Sequence, residues 1–173
     1  RHTLDSICES IVEQTEIEGS SGLLDNCQSQ LLFLVIFNKV KPNLAIDNLI
    51  KKLSKSSFDY LNEKLPSKLY EGNFHSGFSG LIWLLSYLEN NIGVIEIDES
   101  TKENFKKYCF QSSIHMIKYG NYDLFMGGIG YSMYLINEKF DKATKIVAKL
   151  LLSKAETDIN NTLSWQTYSL HNH

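Results

Sequence analysis

Three segments of the chain align without a gap, and their starts lie 51 and 50 residues apart. They are Asn26–Leu34 (NCQSQLLFL), Gly77–Leu85 (GFSGLIWLL) and Gly127–Leu135 (GGIGYSMYL). The shared form is a small residue, two spacers, a second small residue, then five mostly apolar residues. In the first copy Asn26 and Ser29 stand at the glycine positions, with Gly22 just upstream. A period near 50 residues is the mark of a repeat architecture, in which each unit buries its apolar face on its neighbours.

Hydrophobic spacing gives the unit its content. Gln30 to Phe37, Leu81 to Leu88 and Tyr131 to Ile136 are apolar nearly all round, which predicts helices buried on most faces, Phe33 and Trp83 included. Between them lie amphipathic stretches. After Pro42, which suits a first helical turn, Ile46, Leu49, Ile50 and Leu53 form one stripe. Phe140, Ala143, Ile146, Val147, Leu150 and Leu151 form another, with Lys142, Lys145 and Lys149 off it. A helix is expected over 101–119, with Ser100 as N-cap and Glu103 completing a capping box. One buried and one half-buried helix per period predicts an all-α fold of helical hairpins in an inner and an outer layer. Gly77 and Gly80, like Gly127 and Gly130, lie a helical turn apart. Each lacks a Cβ, so a neighbouring helix or an incoming ligand can approach the backbone closely. Each also costs about 1 kcal/mol of helix stability relative to alanine.

Composition narrows the function classes. The net charge of −3 argues against a nucleic-acid surface. The longest apolar run, Leu31 to Phe37, is far short of the roughly 20 residues that span a bilayer. Cys8, Cys27 and Cys109 are odd in number and form no CxxC pair, which favours a reducing, cytoplasmic setting over a disulfide framework.

The copies resemble the repeated Gly-Leu-Ala-Gly-Ile element of the lanthionine synthetase C family. The likeness is closest over residues 74–88 (FHSGFSGLIWLLSYL) and 120–135 (GNYDLFMGGIGYSMYL), and extends over roughly residues 20–155. It implies an α/α toroid of about seven hairpins. About three fit in this chain, so residues 1–173 are expected to form one partial-toroid domain, a piece of a longer protein. An uncovered toroid edge favours self-association.

The resemblance also implies a chemistry. In the family, zinc held by two cysteines and a histidine activates a cysteine thiol of a dehydrated precursor peptide. The thiol adds to dehydroalanine or dehydrobutyrine and closes a thioether ring, with a dehydratase as an expected partner. The Cys-x-Gly, Cys-His-Gly and His-Gly motifs that supply this machinery are not in the chain, so no zinc ligand is assigned here. One family position carries over: Asp123 of Tyr122-Asp123, implied to act as a general acid/base or an orienting acceptor near the metal. The alternative for Asp123 is a cap that braces the helix start. Gly77, Gly80, Gly127, Gly130, His75 and Tyr122 are the residues expected to rim the cavity and meet peptide.

The remaining candidates have plainer readings. His115 suits a half-buried helix face, and His171 and His173 a frayed terminus. Cys27 suits a core thiol, although a helix start can activate one. Glu96, Asp98 and Glu99 suit a solvated loop. Three functions therefore stand: a cyclase-like enzyme whose zinc repeats lie elsewhere, a peptide-binding toroid without chemistry, and a carbohydrate-active α/α toroid. The third would call for paired carboxylates, and only Asp123 offers one.

Overall fold

In the computed structural model, the residues described are 2–14, 23, 26–64 and 72–166. They form seven helices: α1 (His2–Gln14), α2 (Asn26–Val40), α3 (Leu44–Lys64), α4 (Phe78–Ile92), α5 (Glu99–Lys118), α6 (Gly128–Asn137) and α7 (Asp141–Leu152). A two-residue antiparallel pair follows, β1 (Glu156–Thr157) with β2 (Leu163–Ser164). The fold is all-α, as the spacing requires. Helices α2, α4 and α6, which open on the three repeat copies, lie side by side. Helix α3 packs on α2 and α4, and both α5 and α7 pack on α6.

The core is where the repeat places its apolar run. Leu31 and Leu34 of α2, Leu81, Leu84, Leu85 and Leu88 of α4, and Tyr131, Tyr134 and Leu135 of α6 are buried. From the flanking helices come Leu53 and Leu61 of α3 and Phe105 and Cys109 of α5. Each fully buried leucine contributes about 1.5–3 kcal/mol, so these positions account for most of the drive to associate. At the C-terminal ends of α4 and α6 the contact turns polar. Asn137 donates to the Ser86 hydroxyl, and Ser86 and Asn90 both donate to Glu138. Glu89 accepts from Ile97 N–H and pairs with Lys102 at 3.1 Å, tying α4 to the start of α5.

Several local expectations are corrected. The N-cap of α5 is Asp98, not Ser100: its carboxylate accepts from Thr101 N–H at 3.0 Å and from Thr101 Oγ1 at 2.7 Å. Asp98, expected in a solvated loop, is thus the start signal of α5, which begins two residues earlier than expected, at Glu99. Pro42 precedes α3 rather than filling its first turn. Asn43 supplies the cap, with Oδ1 accepting from Ala45 N–H and Ile46 N–H. His115 is exposed, its ring 4.6 Å from that of Tyr119. Phe33 and Trp83 are half-buried, and Ile36 and Val40 lie open on α2, so the apolar helices are not sealed on every side. Helix α1 and the β1–β2 pair were not foreseen. The pair is short, and it is held by Asp158 Oδ1, which accepts from Asn160 and Thr162 N–H, and by Trp165 Nε1 donating to Leu151 O. No described helix is long and apolar enough to cross a membrane.

Candidate functional site

The repeat glycines mark where each inner helix begins, and the turn before that point is built the same way twice. Gly77 and Gly127 are the N-caps of α4 and α6, both with extended backbone and no side chain to cap the helix. An Asx residue four positions earlier instead holds the turn that leads into each helix. Before α4, Asn73 Oδ1 accepts from Ser76 N–H at 2.6 Å and from the Ser76 hydroxyl at 3.2 Å. Before α6, Asp123 Oδ1 accepts from Phe125 N–H and Met126 N–H, both at 2.7 Å. Asn73 and Asp123 are therefore equivalent, 50 residues apart. An Asx side chain folding its own turn is what this residue type does in loops.

The glycines are buried beneath these turns. A Cβ on Gly77 would overlap Gly72 and Asn73 N, and one on Gly127 would overlap Asn121 Oδ1 and lie 2.6 Å from Asp123 N. A Cβ on Gly80 would overlap Phe74 O, and one on Gly130 would overlap Leu124 O. The close approach that the glycines permit is made by the protein's own backbone. What faces outward at this end is the turn itself.

The two turns are joined. Phe125 O accepts from Phe74 N–H at 2.8 Å and from His75 N–H at 3.1 Å, while Phe125 N–H goes to Asp123. His75 and Asp123 thus flank one residue. The His75 ring meets the Phe125 ring edge-on at 6.5 Å, and both residues are exposed, as is Asp123. Tyr122 is buried, so of the Tyr-Asp pair only the aspartate is presented. The buried Asn121, absent from the sequence reading, holds the turn from inside. It donates to Met126 O, accepts from Asp123 N–H through its side chain, and accepts from Gly128 N–H through its backbone. Each lead-in carries a Gly-Asn pair, at 72–73 and at 120–121, which marks a turn although the two pairs stand two residues out of the repeat register.

A second missed feature is a row of aromatics that runs from the turn before α4 onto that helix. Phe74 meets Trp83 edge-on at 5.7 Å, Trp83 stacks on Tyr87 at 5.6 Å, and Lys39 Nζ lies 5.3 Å from the centre of the Tyr87 ring. Trp83 and Tyr87 are four residues apart, which puts them on one face of the helix.

A protein-family model, "Lanthionine synthetase C-like protein", matches residues 17–172. The chain belongs to the lanthionine synthetase C-like family. No curated protein and no solved structure matches it. Against the zinc that this family implies, the donor set can be tested directly. Cys8, Cys27 and Cys109 are free and buried, on α1, α2 and α5. Burial pushes each thiol up, Cys109 far above the ordinary range, and the nearby Asp5 and Glu9 add to the effect at Cys8. Zinc takes the thiolate, which these sites oppose. Cys27, at the start of α2, is held neutral by burial rather than activated there. Among the described residues no group of three or more His, Cys, Asp or Glu side chains is placed to hold a metal ion. The described residues do not fit zinc. His171 and His173 lie outside the described residues.

Proposed function

We propose that this chain forms the first repeats of a lanthionine synthetase C-like peptide cyclase, an α/α toroid acting on a dehydrated precursor peptide in the cytoplasm. Its zinc-bearing repeats would lie outside residues 1–173. The observation that supports this most is the state of Asp123. It is exposed at the N-terminal end of α6, in the Tyr-Asp turn the family shares, with one oxygen anchored by two backbone N–H groups. Its second oxygen has no bond among the described residues. A carboxylate held this rigidly is suited to hold or pass a proton at a peptide bound across the turns, or to orient it. His75, on the far side of Phe125, and the Trp83–Tyr87 face would supply peptide contact. The buried glycines contribute by seating the turns.

The test is thioether formation by a protein that joins this chain to the zinc-bearing repeats. Loss of a positioned acid/base group lowers such rates about 10²–10⁴-fold. Asp123→Asn should do so while zinc content stays constant, and an unchanged rate would remove Asp123 from the reaction.

A second reading is a toroid-like module that grips peptide, with the Trp83–Tyr87 face as its contact, without transforming it. It predicts peptide binding that survives Asp123→Asn and no thioether under any condition.

A further inference from the structure

The lysines beside the apolar stripe of α7 form a concentration of charge that the fold does not neutralise. The chain has a net charge of −3, yet from Lys139 to Lys154 it carries five lysines and one acidic residue, Asp141. Lys142, Ile146 and Lys149 stand at i, i+4 and i+7, so they share one side of α7. Lys142 and Ile146 face α5 across a groove of about 510 Å³. Phe110, Phe140 and Ile146 give it an apolar floor, with Lys107 of α5 and Lys142 of α7 on its walls. Ile146 belongs to a stripe expected to be buried, yet it is 43% exposed. The two carboxylates of the groove are engaged elsewhere. Glu103 pairs with Lys106 at 2.8 Å, and Asp141 lies in the first turn of α7, where the helix dipole favours its charge. Lys106 also sits over the Phe140 ring, 4.8 Å from its centre. Among the described residues, Lys107, Lys142 and Lys149 make no ion pair.

We infer that the α5–α7 groove is a docking site for an acidic amphipathic helix of a partner polypeptide. Its apolar stripe covers Phe110, Phe140 and Ile146, and its carboxylates meet Lys107, Lys142 and Lys149. Charge complementarity selects this occupant, because the cations at the rim lack partners and the floor between them is apolar. Both walls repeat at the helical turn, which matches the spacing of side chains on a third helix laid between them. The lysine stems add apolar contact while their ammonium groups stay in water. A lipid surface is flat and would leave the floor uncovered, and a nucleic-acid backbone brings charge without an apolar stripe. No residue of the groove belongs to the turns that carry His75 and Asp123, so docking operates whether or not the protein is catalytic.

The experiment titrates the 173-residue chain with a fluorescein-labelled helical peptide that carries leucines one turn apart and glutamates beside them. The expected result is binding that weakens as salt rises. It should fall at least tenfold in the double variant Lys107→Glu, Lys142→Glu, and at least tenfold again when lysine replaces glutamate in the peptide. Lys107 and Lys142 are exposed, so the circular dichroism of the variant should match the parent's. Lys52→Glu with Lys55→Glu, the same charge change on the exposed face of α3, should bind the peptide as the parent does. Equal affinity of the parent and the α5–α7 variant, or equal affinity for the two peptides, would overturn the inference. So would recruitment to phosphatidylcholine–phosphatidylserine vesicles that is lost in the α5–α7 variant while the peptide does not bind, since the surface would then belong to a membrane.

Discussion

Asp123 carries two duties through two oxygens, and substitutions separate them. Oδ1 accepts the two backbone N–H bonds that fold the turn before α6, so Asp123→Ala should cost about 1–3 kcal/mol, the usual value of hydrogen bonds to a charged group. Asp123→Asn keeps an acceptor there and should cost little. Urea melts of both variants check this; equal losses would mean that the charge, not the hydrogen bonds, holds the turn. Cys109 makes a contrasting case. It is buried on α5 with its thiol pushed up, so it should resist maleimide in the native state and label only as the chain unfolds. Rapid native labelling would contradict its burial. At this scale the family resemblance singles out Asp123 as a candidate, but the sequence does not show that Asn73 is its equivalent. Side chains that bond their own turn leave no periodic trace, and the pairing emerges only when the two turns are superposed.

At the scale of elements, the apolar runs of α2, α4 and α6 and the stripes of α3 and α7 were legible because burial imposes the helical period. The boundaries were less so. Asp98 was taken for a loop residue because an N-cap differs from any other exposed aspartate only in where the helix begins. Its bonds to Thr101 hold its carboxyl below the ordinary value of 3.8. The folded state therefore gains from its ionised form above the unfolded pKa and loses that gain as pH falls through the lower folded value. Asp98→Asn keeps the cap without titrating, so the fall in melting temperature below about pH 4 should be shallower than in the parent. Identical acid slopes would refute the cap's contribution. Glycines divide by cause. Gly130→Ala should cost about 1–3 kcal/mol, since the new methyl meets Leu124 O and Phe74. Gly93 closes α4 with φ 70° and has nothing within 4 Å of its absent Cβ. Gly93→Ala should cost about 1–2 kcal/mol from backbone strain alone. Thermal melts with denaturant titration distinguish the two, because a larger residue at 130 worsens the loss while one at 93 does not.

For the whole molecule, the in-register repeat was the most legible feature. It implied hairpins, an inner row of helices, and a family, and the family match over residues 17–172 agrees. The spacing of the glycine pairs suggests a rim open to peptide, yet the glycines lie buried beneath the turns that precede α4 and α6. Spacing shows that something must approach a glycine; it cannot show that the approaching atoms come from the same chain a few residues earlier. As proposed, these repeats present Asp123 to a peptide in a cyclase completed by zinc-bearing repeats. Thioether formation on a dehydrated peptide, by a protein containing both parts, tests it most directly. Ring closure should fall about 10²-fold or more in Asp123→Asn with zinc content unchanged; the same rate of ring closure in the variant, or none in the parent with zinc bound, would rule the proposal out.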